Sequence, residues 1–312
     1  MKNIKIVFMG TPIFCVPILE SLIEKYNVVG VVSQPDKAVG RKHIMQNTPI
    51  KEVALKENIE VFQPQKIKKD YQKVLEWKPD LIVTCAYGQI IPEELLNYPK
   101  YGCINVHASL LPKLRGGAPI HKSIIDDYGK TGITIMYMDK QMDTGDIISQ
   151  KETVIDESDD LETLSNRLSK IGTELILETI PKILSGENDR IKQNNEEATY
   201  AYNIKREEEH IDFNKSSREI FNLVRGLYPV PGANTIIDDQ EMKVYKVRIT
   251  DRVFMEKKNG EITQIYKDGI GVSTKDGEIV LLDIKPFGKR RMLARDFLNG
   301  INKEELIGKV LR

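Results

Sequence analysis

The chain has 312 residues and a mass of 35.6 kDa, more than one average domain and enough for two. Apolar residues make up 40% and charged residues 29%, which supplies a core and excludes global disorder. Forty-six basic residues balance 46 acidic ones, so any pull toward nucleic acid or membrane must come from local patches.

Mean hydropathy is −0.35, and no apolar run nears the roughly 18 residues of a bilayer span, so no transmembrane helix is expected. The apolar part of residues 1–9 is too short for a signal peptide and reads as a first strand over 4–9. Gly10-Thr11-Pro12 follows. Thr11 as N-cap and Pro12 at the first helical position predict a helix with Val16, Leu19, Leu22 and Ile23 on one face. Further strands are expected over 28–33, 81–85, 103–106, 133–138 and 147–154, and a long helix over 161–184. Continuous apolar runs of this kind suit parallel strands covered on both faces. The pattern over residues 1–184 is α/β, a doubly wound, mostly parallel, Rossmann-like sheet.

Composition changes after residue 184. Polar runs over 185–190 and 193–197 have little to bury, and residues 185–203 read as a linker. A helix over 216–227 bears Ile220, Leu223, Val224 and Leu227, and stops at Tyr228-Pro229-Val230-Pro231-Gly232. Short strands follow over 244–250, 261–266, 269–273 and 278–284. They are separated by Lys258-Asn259-Gly260, Lys267-Asp268-Gly269 and Lys275-Asp276-Gly277. Such punctuation predicts a second domain over 204–312 that is a small, OB-like β-barrel. Cys15, Cys85 and Cys103 have neither disulfide nor zinc spacing, which points to a reducing cytoplasm with inert core thiols. The four histidines, His43, His107, His121 and His210, show no ligand spacing, so no metal is expected.

The most informative segment is Cys103-Ile104-Asn105-Val106-His107-Ala108-Ser109-Leu110-Leu111-Pro112. Side chains alternate along a strand, so Asn105 and His107 share a face at the strand's carboxyl end, where open α/β sheets place ligands. An imidazole can take a proton, and a carboxamide can donate to a developing oxyanion. Spacing alone fits a buried polar pair equally well. The turn Met142-Asp143-Thr144-Gly145-Asp146 is ordinary turn chemistry taken by itself. In a parallel sheet it falls at the same end as His107, where Asp143 could fix the imidazole; Asp146 faces away or caps the next strand. Gly10 lacks the further glycines of a dinucleotide or Walker-type loop, so a nicotinamide or P-loop reading is disfavoured.

These residues, with Arg115-Gly116-Gly117-Ala118-Pro119-Ile120 and Ala86-Tyr87-Gly88-Gln89-Ile90-Ile91-Pro92, resemble the formyltransferases that use 10-formyltetrahydrofolate. The resemblance runs nearly end to end. Ile211-Asp212-Phe213 and Arg225–Ala233 narrow it to the branch whose acceptor is the initiator methionyl-tRNA. It implies an enzyme that makes formylmethionyl-tRNA for translation initiation by direct amine attack through a tetrahedral intermediate. Asn105, His107 and Asp143 would be catalytic, with His107 either a general base or a charged oxyanion stabiliser. Ser109, Leu110, Leu111, Pro112, Tyr87, Gly88, Gln89 and Ile90 would line the folate site. A monomer without metal or membrane contact is implied. The resemblance also makes Arg41 and Lys42 tRNA contacts in the loop after residue 33, where His43-Ile44-Met45 departs from the usual more basic pattern. Residues 241–312 hold 16 Lys+Arg against 11 Asp+Glu, and Lys289, Arg290 and Arg291 read as further phosphate contacts, with a merely solvated basic face as the alternative. A small-amine acceptor and a non-catalytic RNA-binding module are the rival readings.

Overall fold

A computed structural model describes residues 3–39, 44–254 and 256–312. Up to residue 202 the strands are β1 (Lys5–Gly10), β2 (Asn27–Val32), β3 (Lys37–Val39), β4 (Ile44–Gln46), β5 (Val61–Phe62), β6 (Leu81–Cys85), β7 (Cys103–His107), β8 (Lys130–Tyr137) and β9 (Ile147–Val154). The helices are α1 (Val16–Lys25), α2 (Pro49–Lys56), α3 (Gln72–Glu76), α4 (Glu93–Leu96), α5 (Pro119–Ile125) and α6 (Leu161–Ser185). Two compact units emerge. One comprises Met1–Pro119, Lys130–Val154 and Ser165–Tyr202; the other comprises Ile120–Gly129, Ile155–Leu164 and Asn203–Arg312.

The first unit is built on a seven-stranded sheet of order β5-β2-β1-β6-β7-β8-β9. Ile6, Val7, Phe8 and Met9 of β1 are all fully buried, as a strand covered on both faces requires. On the helices, α1 buries Ile18, Leu19 and Leu22, and α6 buries Leu168, Ile176 and Ile180. Each such side chain contributes about 1.5–3 kcal/mol. From β5 to β7 the pairing is parallel, so the carboxyl ends of β1, β6 and β7 lie along one edge. β8 and β9 depart from the parallel expectation: β8 runs antiparallel to β7, and β9 antiparallel to β8. Residues 138–146 between them are too few for a parallel crossover, which needs a dozen residues or more.

One local expectation is corrected. Thr11 is not a helix cap, because the chain first makes a 3-10 turn over Ile13–Cys15, with Pro12 before it, and only then enters α1. The Thr11 hydroxyl instead donates to Tyr87 O (3.3 Å) and accepts from Gln34 N (3.3 Å), joining loops at the sheet edge. The polar stretch read as a linker hydrogen-bonds to the first unit through residue 201. Ile191 bridges Ile147, Arg115 N donates to Thr199 O (2.8 Å), and Ala201 N donates to Arg115 O (2.7 Å).

In the second unit, α7 (Ser217–Gly226) starts at Ser216, whose hydroxyl accepts from Glu219 N while the Glu219 carboxylate reaches back to Ser216 N. The Ser216 N–H and hydroxyl, both donating to the carboxylate, hold the Glu219 carboxyl at about 2, below the ordinary glutamate value. β10 (Ala233–Ile237), β11 (Gln240–Thr250), β12 (Ile262–Ile265), β13 (Ile270–Ser273), β14 (Glu278–Lys285) and β15 (Met292–Leu293) form an antiparallel sheet, followed by α8 (Ala294–Leu298). Its order is β10-β11-β14-β13-β12, with β15 beside β14. Asp238 and Asp239, both at positive φ, make the tight β10–β11 turn. Ile220, Val224, Val244, Val272, Ile279 and Leu281 are among its core residues.

The predicted barrel does not close, since no ladder joins β10 to β12 among the described residues. The last residues serve both edges instead. Arg312 exchanges backbone hydrogen bonds with Ile236, Leu311 N donates to Gly260 O, and Ile262 N donates to Lys309 O. Turn chemistry specifies hairpins, but closure depends on how edge strands meet, which hairpin signals do not encode.

Candidate active site

Asn105 and His107 leave β7 at the carboxyl edge of the sheet. The Thr84 hydroxyl on neighbouring β6 lies 2.9 Å from Asn105 Oδ1 and 3.2 Å from Ile104 O, and holds the amide by its oxygen end. Among the described residues no acceptor is bonded to Asn105 Nδ2, so this donor is available.

His107 is 4% exposed, and its Nε2 lies 3.0 Å from Leu114 O. A carbonyl can only accept, so Nε2 carries the proton and Nδ1 is the basic nitrogen. Nδ1 faces Asp143 Oδ2 at 3.7 Å, beyond hydrogen-bonding range but close enough to stabilise an imidazolium. Asp143 stands at φ +56°, and its Oδ2 accepts from Gly116 N (2.8 Å). Because β8 is antiparallel to β7, Tyr137 at its end pairs with Ile104, and the loop over 138–146 brings Asp143 to His107. Asp146 is turned to Arg190, whose Nε donates to it at 3.2 Å.

One segment therefore serves both groups. Leu114, at φ +58°, offers its carbonyl to His107, and Gly116 offers its N–H to Asp143. Gly116 has φ +122°, and a Cβ there would sit 2.6 Å from Ala201 O, so only glycine fits. Between them Arg115 is 1% exposed. Its guanidinium donates to Gln193 Oε1 (3.1 and 2.8 Å) and Asn195 Oδ1 (2.9 Å). Sequence reading attached no role to Arg115, Gln193 or Asn195. The signal was a charged residue inside a glycine-rich, otherwise apolar motif, which must find acceptors if buried.

The residues expected around the folate divide into two groups. Ser109, Leu111 and Tyr87 are buried. The Ser109 hydroxyl donates to Lys113 O (2.6 Å), Leu111 packs with Met136 and Ile147, and burial pushes the Tyr87 hydroxyl up. Gln89 is tied to Ile67 N (2.8 Å) and Pro64 O (3.3 Å). These side chains shape the loops from behind. Ile90 is 79% exposed, Gly88 is exposed at φ +85°, and Leu110 and Pro112 are part-exposed, leaving these positions to present surface.

Arg41 and Lys42 lie outside the described residues. In the second unit, Lys289 and Arg290 are exposed, with the Lys289 ammonium 5.1 Å from the Phe297 ring. Arg291 is committed: it pairs with Asp283 (2.7 Å) and lies 4.4 and 5.0 Å from the Tyr245 and Tyr228 rings. The Asp283 carboxylate raises its already high proton affinity. Burial pushes the Cys85 and Cys103 thiols up, so neither is a ready nucleophile. Among the described residues no cluster of three or more His, Cys, Asp or Glu could hold a metal, and no helix is long and apolar enough to cross a membrane.

Comparison with known proteins identifies the family. Residues 2–180 match the formyl transferase family model and residues 203–302 the formyl transferase C-terminal domain. The chain is 50% identical over 300 residues to a methionyl-tRNA formyltransferase of Bacillus licheniformis, covering 95% of each chain. It is 47% identical over 310 residues to one of Staphylococcus aureus, covering 98% of this chain and 99% of that one. A solved N-formyltransferase of Helicobacter canadensis shares the fold at a TM-score of 0.67 and 21% identity, over 91% of this chain and all of that one. HypX of Aquifex aeolicus, solved with tetrahydrofolic acid, does so at a TM-score of 0.63 and 14% identity, over 94% of this chain and 46% of that one. The chain thus belongs to the methionyl-tRNA formyltransferase family of formyl transferases.

Proposed function

We propose that the chain transfers the formyl group of 10-formyltetrahydrofolate to the α-amino group of methionine esterified to initiator tRNA. The observations that carry this reading are the His107–Asp143 pair at the sheet edge and Asn105 two residues before His107 on the same strand, in a chain half identical along its length to enzymes of that name.

The folate co-substrate supplies the activated formyl group, and the amine is the nucleophile, so no enzyme nucleophile is required. Ile90, Leu110 and Pro112, exposed or part-exposed at the edge, suit the apolar faces of the folate, while the Gly88 backbone admits close approach. As the nitrogen attacks, negative charge develops on the formyl oxygen. Asn105 Nδ2, unengaged and held by Thr84 through the other end of its amide, donates to that charge. The nitrogen sheds its proton to His107 Nδ1, because Nε2 is occupied by Leu114 O. Asp143 then faces the imidazolium across 3.7 Å, and collapse of the tetrahedral intermediate breaks the bond between the formyl carbon and the folate nitrogen, which takes the proton back from His107 and leaves as tetrahydrofolate. In this reading residues 1–184 carry the chemistry, 185–203 connect, and 204–312 contribute the tRNA contact, with Lys289 and Arg290 available for phosphates and Arg41 and Lys42 in the amino-terminal loop.

The test incubates the full chain with 10-formyltetrahydrofolate and methionyl initiator tRNA and measures formylmethionine released from the tRNA. Formylmethionine is expected. Formylation of an amino-sugar nucleotide with charged tRNA left untouched would overturn the reading.

A further inference from the structure

Gln193 lies in the polar stretch after α6, and its side-chain amide is the junction of the network behind the candidate site. Its oxygen accepts from Arg115 Nε (3.1 Å) and Nη2 (2.8 Å), while its nitrogen donates to Asp143 O (2.9 Å) and Gly145 O (2.8 Å). That uses two acceptor and two donor positions, the full capacity of a carboxamide. The cation also fixes the orientation. Turned over, the amide would set its NH2 against the guanidinium and its oxygen against two carbonyls.

The turn so held needs holding. Asp143 adopts the left-handed region at φ +56°, which most L-residues avoid. Gly145 passes so close to Tyr137 that a Cβ would lie 1.9 Å from Tyr137 O. With Gly116 N–H on its carboxylate and Gln193 on its carbonyl, Asp143 is fixed from both ends. Asn195 provides the contrast: it accepts from the same Arg115 Nη2 (2.9 Å), and no hydrogen bond joins it to the Asp143 turn.

We infer that Gln193 is a positioning residue for formyl transfer: braced on the buried Arg115 cation, it holds the Asp143–Gly145 turn so that the Asp143 carboxylate stays beside His107. The inference rests on the assignment of Asp143 and His107 to the chemistry. It assigns function to a residue in a stretch whose composition reads as a connector.

The experiment is a double-mutant cycle on the full chain with 10-formyltetrahydrofolate and methionyl-tRNA, using Gln193→Leu, Asp143→Ala and their combination, with Asn195→Ala alongside. Gln193→Leu is expected to lower kcat by ~10- to 100-fold, as small misplacements of catalytic groups do. It should shift the pH profile of kcat and cost nothing further in the Asp143→Ala background. Asn195→Ala, which removes one acceptor of Arg115 but no bond to the Asp143 turn, should lose far less kcat than Gln193→Leu, and an equal loss in the two variants counts against a specific role for Gln193. Gln193→Glu keeps a partner for Arg115 but sets carboxylate oxygens against the Asp143 and Gly145 carbonyls. It is expected to be impaired like Gln193→Leu, and it carries the test if the leucine variant does not fold. Equal losses from Gln193→Leu with and without Asp143, or a wild-type rate for Gln193→Glu, overturn the inference. A loss in Asp143→Ala with none in Gln193→Leu overturns it alone, whereas full activity of Asp143→Ala overturns the site assignment beneath it.

Discussion

Arg115, at the edge of the first sheet, and Arg291, on the sheet of the second unit, both have engaged guanidinium groups, but with partners of different charge. Arg115 is 1% exposed and meets only the neutral amide oxygens of Gln193 and Asn195 in its side-chain hydrogen bonds. Arg291 is far more open, pairs with the Asp283 carboxylate, and lies against the Tyr228 and Tyr245 rings. Burying a cation without a carboxylate costs several kcal/mol before its hydrogen bonds are counted. On the second unit the opposite choice engages a positive charge that the sequence counts toward RNA, while Lys289 and Arg290 have no carboxylate partner among the described residues.

The largest effect that would sharpen this contrast comes from the group Arg115 indirectly serves. His107→Ala removes the proposed proton acceptor and should lower kcat by ~10²–10⁴, the usual range for general acid–base catalysis; steady-state formylation kinetics check it. Next come the two arginines. Arg115→Met removes the charge-assisted hydrogen bonds of a buried guanidinium to the half-buried Gln193 and the exposed Asn195, and should destabilise the fold by about 1–3 kcal/mol. Arg291→Met breaks a part-exposed pair and should cost about 1 kcal/mol or less. Urea unfolding of both variants would break the comparison if the order reversed.

A smaller effect concerns RNA. Arg290→Ala should reduce the slope of log Kd for tRNA against log salt by about one, as loss of a phosphate contact does. Arg291→Ala should change it less, because Asp283 already neutralises that charge. The smallest effect is at the α7 cap. The Glu219 carboxyl is held at about 2 in the folded chain, below its unfolded value. Its contribution is therefore present above the ordinary glutamate range and lost as pH falls toward 2. Wild type should exceed Glu219→Gln by a few tenths of a kcal/mol at pH 6, with the gap closing near pH 2 in chemical unfolding.

Much of this was legible because short-range periodicities carry it. Strand alternation places Asn105 and His107 on one face whatever the rest of the fold does, and the residues of β6 and β9 are bounded as their apolar runs predict. What failed depends on tertiary pairing. Strand direction is set by partners, so the antiparallel β8 could not be read from its composition, and Asp143 reaches His107 by a route the parallel expectation did not contain. The stretch over 185–203 is polar enough for solvent, yet the buried Arg115 needs acceptors and draws Gln193 and Asn195 against it. Ser109 and Tyr87 sit in the right motifs, but their side chains are spent on loop shape and core, a division no motif announces. The turn signals of the second unit specified its hairpins and not its open edges.

The most direct measurement is the single-turnover rate of formyl transfer from 10-formyltetrahydrofolate to methionyl-tRNA by Asn105→Ala, with both substrates saturating. Loss of an oxyanion donor predicts a fall of ~10²–10³, about 2.7–4 kcal/mol, with folate affinity retained. A rate equal to that of the wild type would remove Asn105 from the chemistry and contradict the account.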